Sequence, residues 1–338
     1  MASHTFKFND AFQLESGEVL PEFEIAYMTW GSINAAQSNV VWVCHALTGS
    51  ADCADWWSGL IGEGRLLDPA HYFIICANVL GSNYGSTQPL SVNPATGEAY
   101  YHDFPVVTIR DVVKTHELLC KHLNINKIHI CIGGSLGGQQ ALEFSILQPN
   151  LIENLLLMAT NAVHSPWGIA FNETQRMAIK TDPTWPNRNP DAGLEGMKTA
   201  RAVALLSYRN YETYALTQQR GREGLKEDFR ASTYQRYQGE KIATRFNAFS
   251  YWALSKMMDS HDVSRGRGGV VSTLGQIKAK TLVIGISSDV LFPPTEQQLL
   301  AKYINNAQYV EIQSLYGHDG FLIEYEAINK AIIDWMER

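Results

Sequence analysis

Four short, continuous apolar runs separated by helical patterns dominate the first half of the chain, and they leave few architectures open. The runs are Val40–Cys44 (VVWVC), Tyr72–Val79 (YFIICANV), Lys127–Ile132 (KIHICI) and Ile152–Met158 (IENLLLM). Runs of this length without polar alternation suit strands buried on both faces, as in a parallel sheet. Ile109–Leu123 sets Val112, Val113, Leu118 and Leu119 toward one side, as an amphipathic helix does, and a second helix is expected from Ser135 to about Leu147, ahead of Pro149. Strand and helix in alternation predict the α/β class with a mostly parallel, doubly wound sheet.

The alternation stops near Thr160. From there to about Gly269 no run reads as a buried strand. Helical patterns over Gly168–Lys180, Leu194–Arg209 and Arg245–Met258 are separated instead by loops such as TDPTWPNRNPDAG and SRGRGG. Strand signals return at Thr281–Ser287 (TLVIGIS) and Gln308–Gln313 (QYVEIQ), and a last helix is expected over Tyr325–Met336. The simplest organisation is an α/β core of residues 1–162 and 270–338 interrupted by a helical cap, residues 163–269.

One motif sits where that architecture places chemistry. Gly133-Gly134-Ser135-Leu136-Gly137 fits G-x-S-x-G, with a strand before it and a helix after it. A sharp strand–turn–helix bend lifts a serine hydroxyl above the sheet edge, and small neighbours avoid clashes there. The helix N-terminus also favours developing negative charge. A serine needs a base to accept its proton and an acid to orient that base. In the α/β-hydrolase fold these follow the serine in the order acid, then histidine. Asp289 follows TLVIGIS, and His318 lies in Leu315-Tyr-Gly-His-Asp-Gly320 after QYVEIQ. Both are expected at the carboxyl edge of the sheet, where open α/β sheets hold their sites. Ser135, Asp289 and His318 are therefore the expected catalytic triad. The oxyanion donors are expected to be the backbone N–H of Leu136 and that of Leu47, in the His45-Ala-Leu-Thr-Gly49 loop after VVWVC. His45 reads as structural, since His318 already fills the base role.

Composition narrows the function classes. The net charge of −7 argues against a nucleic-acid surface, although Arg265-Gly-Arg267 offers a place for one anionic group. No apolar run is long enough for a membrane span, and MASHTFKFND has no apolar signal core. The five cysteines form no CxxC pair and are expected as buried, reduced thiols in a cytoplasmic protein. The ten histidines show no metal-ligand spacing, so no bound metal or cofactor is expected.

Longer strings go further. CHALTGS (44–50), WWSGLIGEGRLLDP (56–69), YFIICANVLGSNYGST (72–87), DFPVVTIRDVV (103–113), GGSLGGQQALEF (133–144), SSDVLFPP (287–294) and GHDGFL (317–322) together resemble the homoserine O-acetyltransferase family of the α/β-hydrolase superfamily. The resemblance implies a ping-pong transfer with acetyl-CoA as co-substrate, an acetyl-Ser135 intermediate, L-homoserine as acceptor and a place in methionine biosynthesis. It implies a homodimer formed through the cap. It also places Arg201, Tyr208 and Asp319 in the acceptor site. A guanidinium suits the carboxylate of an amino acid and a carboxylate suits its ammonium. Tyr208, seven residues after Arg201, shares its helical face. The chain departs from the family at NAVHSPWG (161–168) and in the cap loop 181–193, so Trp167 is expected to alter the acyl or acceptor pocket. A succinyl donor, a serine acceptor and plain ester hydrolysis remain open on these residues, since fold alone does not separate them.

Overall fold

The computed structural model describes residues 1–220 and 226–338. Its main sheet contains β1 (Ala2–Phe8), β2 (Phe23–Trp30), β3 (Val40–Cys44), β4 (Phe73–Ala77), β5 (Ile128–Gly134), β6 (Ile152–Met158), β7 (Lys280–Ile286) and β8 (Ala307–Ile312). The eight strands lie in the order β1-β2-β4-β3-β5-β6-β7-β8. β1 and β2 pair antiparallel, as do β2 and β4, and every remaining neighbour is parallel. The chain thus has the expected α/β core. The antiparallel edge of β1 and β2 was not foreseen. In β1 only Phe6 is buried, whereas β2 alternates buried and half-buried residues, a period-two signal that was present in FEIAYMTW.

The helices of seven or more residues, in chain order, are α1 (Ile109–His122), α2 (Leu136–Leu147), α3 (Pro166–Lys180), α4 (Leu194–Tyr208), α5 (Tyr211–Thr217), α6 (Arg230–Ala243), α7 (Ala248–Asp259), α8 (Pro294–Tyr303) and α9 (Tyr325–Met336). β3 shows why its sequence is continuously apolar. Val40, Trp42 and Cys44 point into one apolar layer, which also contains residues of α1 and α2. Val41 and Val43 point into another, with Trp57 and with Ile328, Ile332 and Trp335 of α9. α1 starts at a capping box, in which Thr108 and Asp111 satisfy each other's backbone N–H groups. The strand expected over 72–79 spans Phe73–Ala77: the Asn78 amide still bonds the next β2 residue in register, and the Val79 amide turns away from the ladder to a side chain. Asn78 N–H bonds Ala26 O, and Val79 N–H bonds His45 Nε2.

Helices α3 to α7 all lie between β6 and β7, and no strand of the described residues interrupts them. α3 starts two residues earlier than expected, at Pro166, with Ser165 capping Gly168 N–H. α7 starts three residues later, because Asn247 caps Ser250 N–H. α6 had no readable pattern: only Gly239 and Ile242 are buried along it. The two ends of the inserted segment are tied side by side, His164 N–H to His261 O at 2.9 Å and Val263 N–H to Ala162 O at 3.0 Å.

The Arg265-Gly-Arg267 loop does not present a free anion site. Arg265 grips Glu15 through Nε (2.9 Å) and Nη2 (2.8 Å), and Arg267 grips Glu143 through both terminal nitrogens. Arg110 bridges the two carboxylates, 2.7 Å from Glu15 and 3.0 Å from Glu143. Burial raises the Glu15 carboxyl, but hydrogen bonds from Arg265 and Thr108 and the charge of Arg110 outweigh it and bring its pKa down to about 2. These guanidinium groups are already matched, so the loop closes a seam between the core and the inserted helices.

Candidate active site

The strand register brings the candidate residues to one edge. Cys44 lies beside Gly133, Gly133 beside Leu157, and Leu157 beside Val283. The segments that follow β3, β5 and β7 therefore emerge together, carrying Leu47, Ser135 and Asp289. The loop after β8 carries His318.

Ser135 occupies a strained bend, with φ 56° and ψ −127°. Such a conformation costs a non-glycine residue about 1–3 kcal/mol and persists only where its surroundings over-determine it. Here Ser135 N–H donates to Met158 O at 3.0 Å, and Ser135 O accepts from Thr160 Oγ1 at 2.9 Å and from Gln139 N–H at 3.1 Å. Thr160 O in turn accepts from Gln297 of α8 at 2.6 Å. Gly137 is required by close approach, because a Cβ there would lie 2.1 Å from Cys44 O. Two glutamines further along the helix brace the surroundings. Gln139 donates to Asn161 Oδ1, and Gln140 donates to His45 O, both at 3.0 Å.

Asp289 and His318 are both buried and joined, Nδ1 to Oδ2, at 2.6 Å. The other carboxylate oxygen of Asp289 accepts the N–H groups of Leu291 (2.8 Å) and Phe292 (2.9 Å), which fix its orientation. The imidazole of His318 stacks on Phe292 at 5.0 Å and meets Phe321 edge-on at 5.3 Å. With Nδ1 engaged by the carboxylate, Nε2 is the nitrogen left to handle a proton. No hydrogen bond joins Ser135 Oγ to His318 among the described residues, but both side chains line one cavity. Such contacts are often loose before substrate binds.

That cavity has a volume of roughly 560 Å³ and is lined by Leu47, Ser135, Arg201, Tyr208, His318 and Asp319, among others. Leu136 is wholly buried as the first residue of α2, directly after the serine. His45 is also wholly buried. Its Nε2 accepts from Val79 N–H and its Nδ1 lies 2.9 Å from Ala46 O, so it ties the ends of β3 and β4 together. Burial, as the main cause, lowers its pKa to about 4. Among the described residues no group of three or more His, Cys, Asp or Glu side chains is arranged to hold a metal.

The residues expected at an acceptor site come together with one addition. The Arg201 guanidinium sits over the Tyr208 ring at 5.3 Å, and that ring lies 5.9 Å from the ring of His318. Asp319, however, forms its ion pair with Arg209, at 3.0 Å, and not with Arg201. Sequence reasoning missed Arg209. It adjoins Tyr208 in SYRN but falls at the cap of α4, where helical periodicity no longer tells direction. Trp167 does not line the cavity. Its ring packs on Phe171 at 4.8 Å, and its Nε1 donates to Val290 O at 2.8 Å, so it braces the Asp289 loop from outside.

Known proteins are similar to this chain in sequence and in fold. A family model described as the alpha/beta hydrolase fold matches residues 39–325. A protein of Cyclobacterium marinum named homoserine O-acetyltransferase is 52% identical, over 97% of this chain and 93% of its own. The crystal structure of a homoserine O-acetyltransferase from Bacillus anthracis superposes with a TM-score of 0.92 at 23% identity, covering 100% of this chain and 98% of that one. The crystal structure of esterase E22 superposes with a TM-score of 0.90 at 23% identity, covering 99% of each chain. The last two likenesses speak for the fold alone, and they include both a transferase and an esterase.

Proposed function

Since this chain belongs to the homoserine O-acetyltransferase family of the α/β-hydrolase fold, we propose that it transfers an acetyl group from acetyl-CoA to the hydroxyl of L-homoserine, in the cytoplasm, as a step of methionine biosynthesis. The observation that carries this reading is a single cavity holding both Ser135–His318 and the charged set Arg201–Asp319. A plain esterase has no use for a zwitterion clamp. In this reading residues 163–269 form a cap on the core of residues 1–162 and 270–338.

The chemistry proceeds in two halves. Ser135 Oγ attacks the thioester carbonyl while His318 Nε2 takes the hydroxyl proton, and Asp289 stabilises the resulting imidazolium. The backbone N–H groups of Leu47 and Leu136 receive the oxyanion. As the tetrahedral intermediate collapses, the C–S bond breaks, the CoA sulfur takes the proton from His318, and acetyl-Ser135 remains. The homoserine hydroxyl then attacks that ester, losing its proton to His318. Collapse returns the proton to Ser135 Oγ and releases O-acetylhomoserine. Arg201 holds the acceptor carboxylate, Asp319 holds its ammonium, and Tyr208 walls the site between them.

Incubation with acetyl-CoA tests the reading. Without homoserine, one burst of CoA and an acetylated Ser135 peptide are expected; with homoserine, sustained turnover to O-acetylhomoserine. Ser135→Ala should abolish both. Release of acetate at the same rate with and without homoserine would make the protein a hydrolase, and turnover with only succinyl-CoA or only serine would move donor or acceptor. The homodimer is also part of this proposal. Leu206, Tyr211, Leu216 and Tyr237 on α4 to α6 are more than half exposed, an unusual load of apolar surface for one set of helices.

A further inference from the structure

Asp319 is oriented from the inserted helices by contacts that the acceptor clamp itself does not include. The carboxyl end of α4 is pressed onto the His318 loop. Gly317 has φ +62°, and a Cβ there would meet Tyr208 O at 2.9 Å and the Arg209 backbone at 3.0 Å. Beyond α4, Thr213 Oγ1 donates to Leu315 O. Within this contact, one Arg209 terminal nitrogen lies 3.0 Å from Asp319 Oδ2 as an ion pair, and Oδ1 has no partner of its own among the described residues. Both side chains are about one-fifth exposed, and of the two it is Asp319 that lines the cavity.

We propose that Arg209 is a positioning residue for the acceptor: it pins Oδ2 of Asp319 and leaves Oδ1 as the one anionic point that the acceptor ammonium can reach. The inference rests on the acceptor reading above and deepens it. A lone carboxylate pivots about two torsions and presents either oxygen, whereas one tethered by a guanidinium presents a single direction. Charge points the same way. Burial, the largest influence, raises the Asp319 carboxyl above the usual range, and Asp289 on the β7 loop pushes it further. Arg209 leads the groups that oppose this, followed by His318 in the same loop and Arg201 on α4. From the other flanking elements Tyr208 and Tyr214 face it as neutral phenols, since burial, chiefly, raises both. Without Arg209, the carboxylate loses its strongest cationic neighbour.

The test separates the two half-reactions and two acceptors. Arg209→Gln is assayed for acetyl-enzyme formation from acetyl-CoA, then with L-homoserine and with 4-hydroxybutyrate, which is homoserine without its amino group. The homoserine KM should rise about tenfold or more, with acylation and the 4-hydroxybutyrate KM little changed. The acid limb of homoserine use should also move to higher pH, because Asp319 protonates more readily. Arg209→Lys, which restores charge but not the fork, should show a smaller selective rise. In an Asp319→Asn background Arg209→Gln should add little. Equal loss with both acceptors, or equal loss in acylation, would reduce Arg209 to a structural contact and overturn the proposal. If Arg209→Gln does not fold, Arg209→Lys decides: no selective rise for homoserine overturns the role. A wild-type protein that acylates but ignores homoserine overturns the acceptor reading itself, whereas an Arg209→Gln protein equal to wild type on homoserine overturns this inference alone.

Discussion

The central strands and the inserted helices both bury apolar side chains, but the helices add buried polar ties to them. β3 buries five of five residues, all apolar, and β6 and β7 end in unbroken buried apolar runs. The interior of α3 to α7 includes Asn172, Gln175, Arg176, Ser207 and Ser255. There Arg176 Nη2 meets Asp259 at 2.5 Å, Arg176 Nη1 meets Ser255 at 3.1 Å, and Tyr251 donates to Gln175 at 2.5 Å. Apolar layers set strand positions through volume alone and tolerate exchange of similar shapes. Polar ties demand particular partners at particular angles. The division of labour follows the same line. In the proposed reading, the core supplies the atoms that make and break bonds, and the inserted helices supply Arg201, Tyr208 and Arg209, which choose what reaches them.

If that division is real, damage to each region should have its own signature. The largest effect belongs to the core. Asp289→Asn should lower turnover on the order of 10⁴, in acylation and acceptor transfer alike, because both halves use His318 as base. Single-turnover measurement of each half checks this, and a loss confined to one half would break the comparison. Next comes the seam. Glu143 is almost wholly buried between Arg110 and Arg267, so Glu143→Gln leaves Arg267 without a carboxylate and Arg110 with Glu15 alone, and should cost about 3 kcal/mol in urea unfolding. Arg201→Ala should follow. An acceptor KM raised about a hundredfold, with acylation much less affected, would sharpen the assignment of choice to the inserted helices.

The smallest effect concerns Glu296, on α8 beneath the nucleophile bend. Burial chiefly, with a contribution from Asp289, raises its pKa to about 7, against the hydrogen bond from Asn161. In the folded state it therefore holds its proton between about pH 4.5 and 7, where the unfolded chain has lost it, so stability falls as pH rises through that window. Glu296→Gln keeps the acceptor for Asn161 and removes the titration. Its melting temperature should match wild type near pH 5 and exceed it near pH 8. A constant difference across pH would show that Glu296 is not strained by ionisation.

Much of this was legible before any coordinates. The alternation of apolar runs and helices pointed to the parallel sheet, and the serine with its neighbours pointed to the bend. The edges of the molecule were harder. β1 is nearly all exposed, and α6 buries only two residues, so neither leaves a strong period in the sequence. Helix starts moved by two or three residues where Ser165 and Asn247 act as caps, a local signal weaker than the apolar pattern beside it.

What the sequence determined alone are the features written in short-range order: the buried strands, the strained serine between Gly133 and Gly137, and the chain order Ser135, Asp289, His318. Local sterics and burial act over a few residues, so a few residues suffice to read them. Pairings across the chain were decided only by the tertiary structure. Glu15 meets Arg265, 250 residues away, and Asp319 meets Arg209 and not the Arg201 that the family resemblance set beside it in the acceptor site. Charge pairing depends on distance and direction in space, and nothing in the spacing of two residues along the chain fixes either.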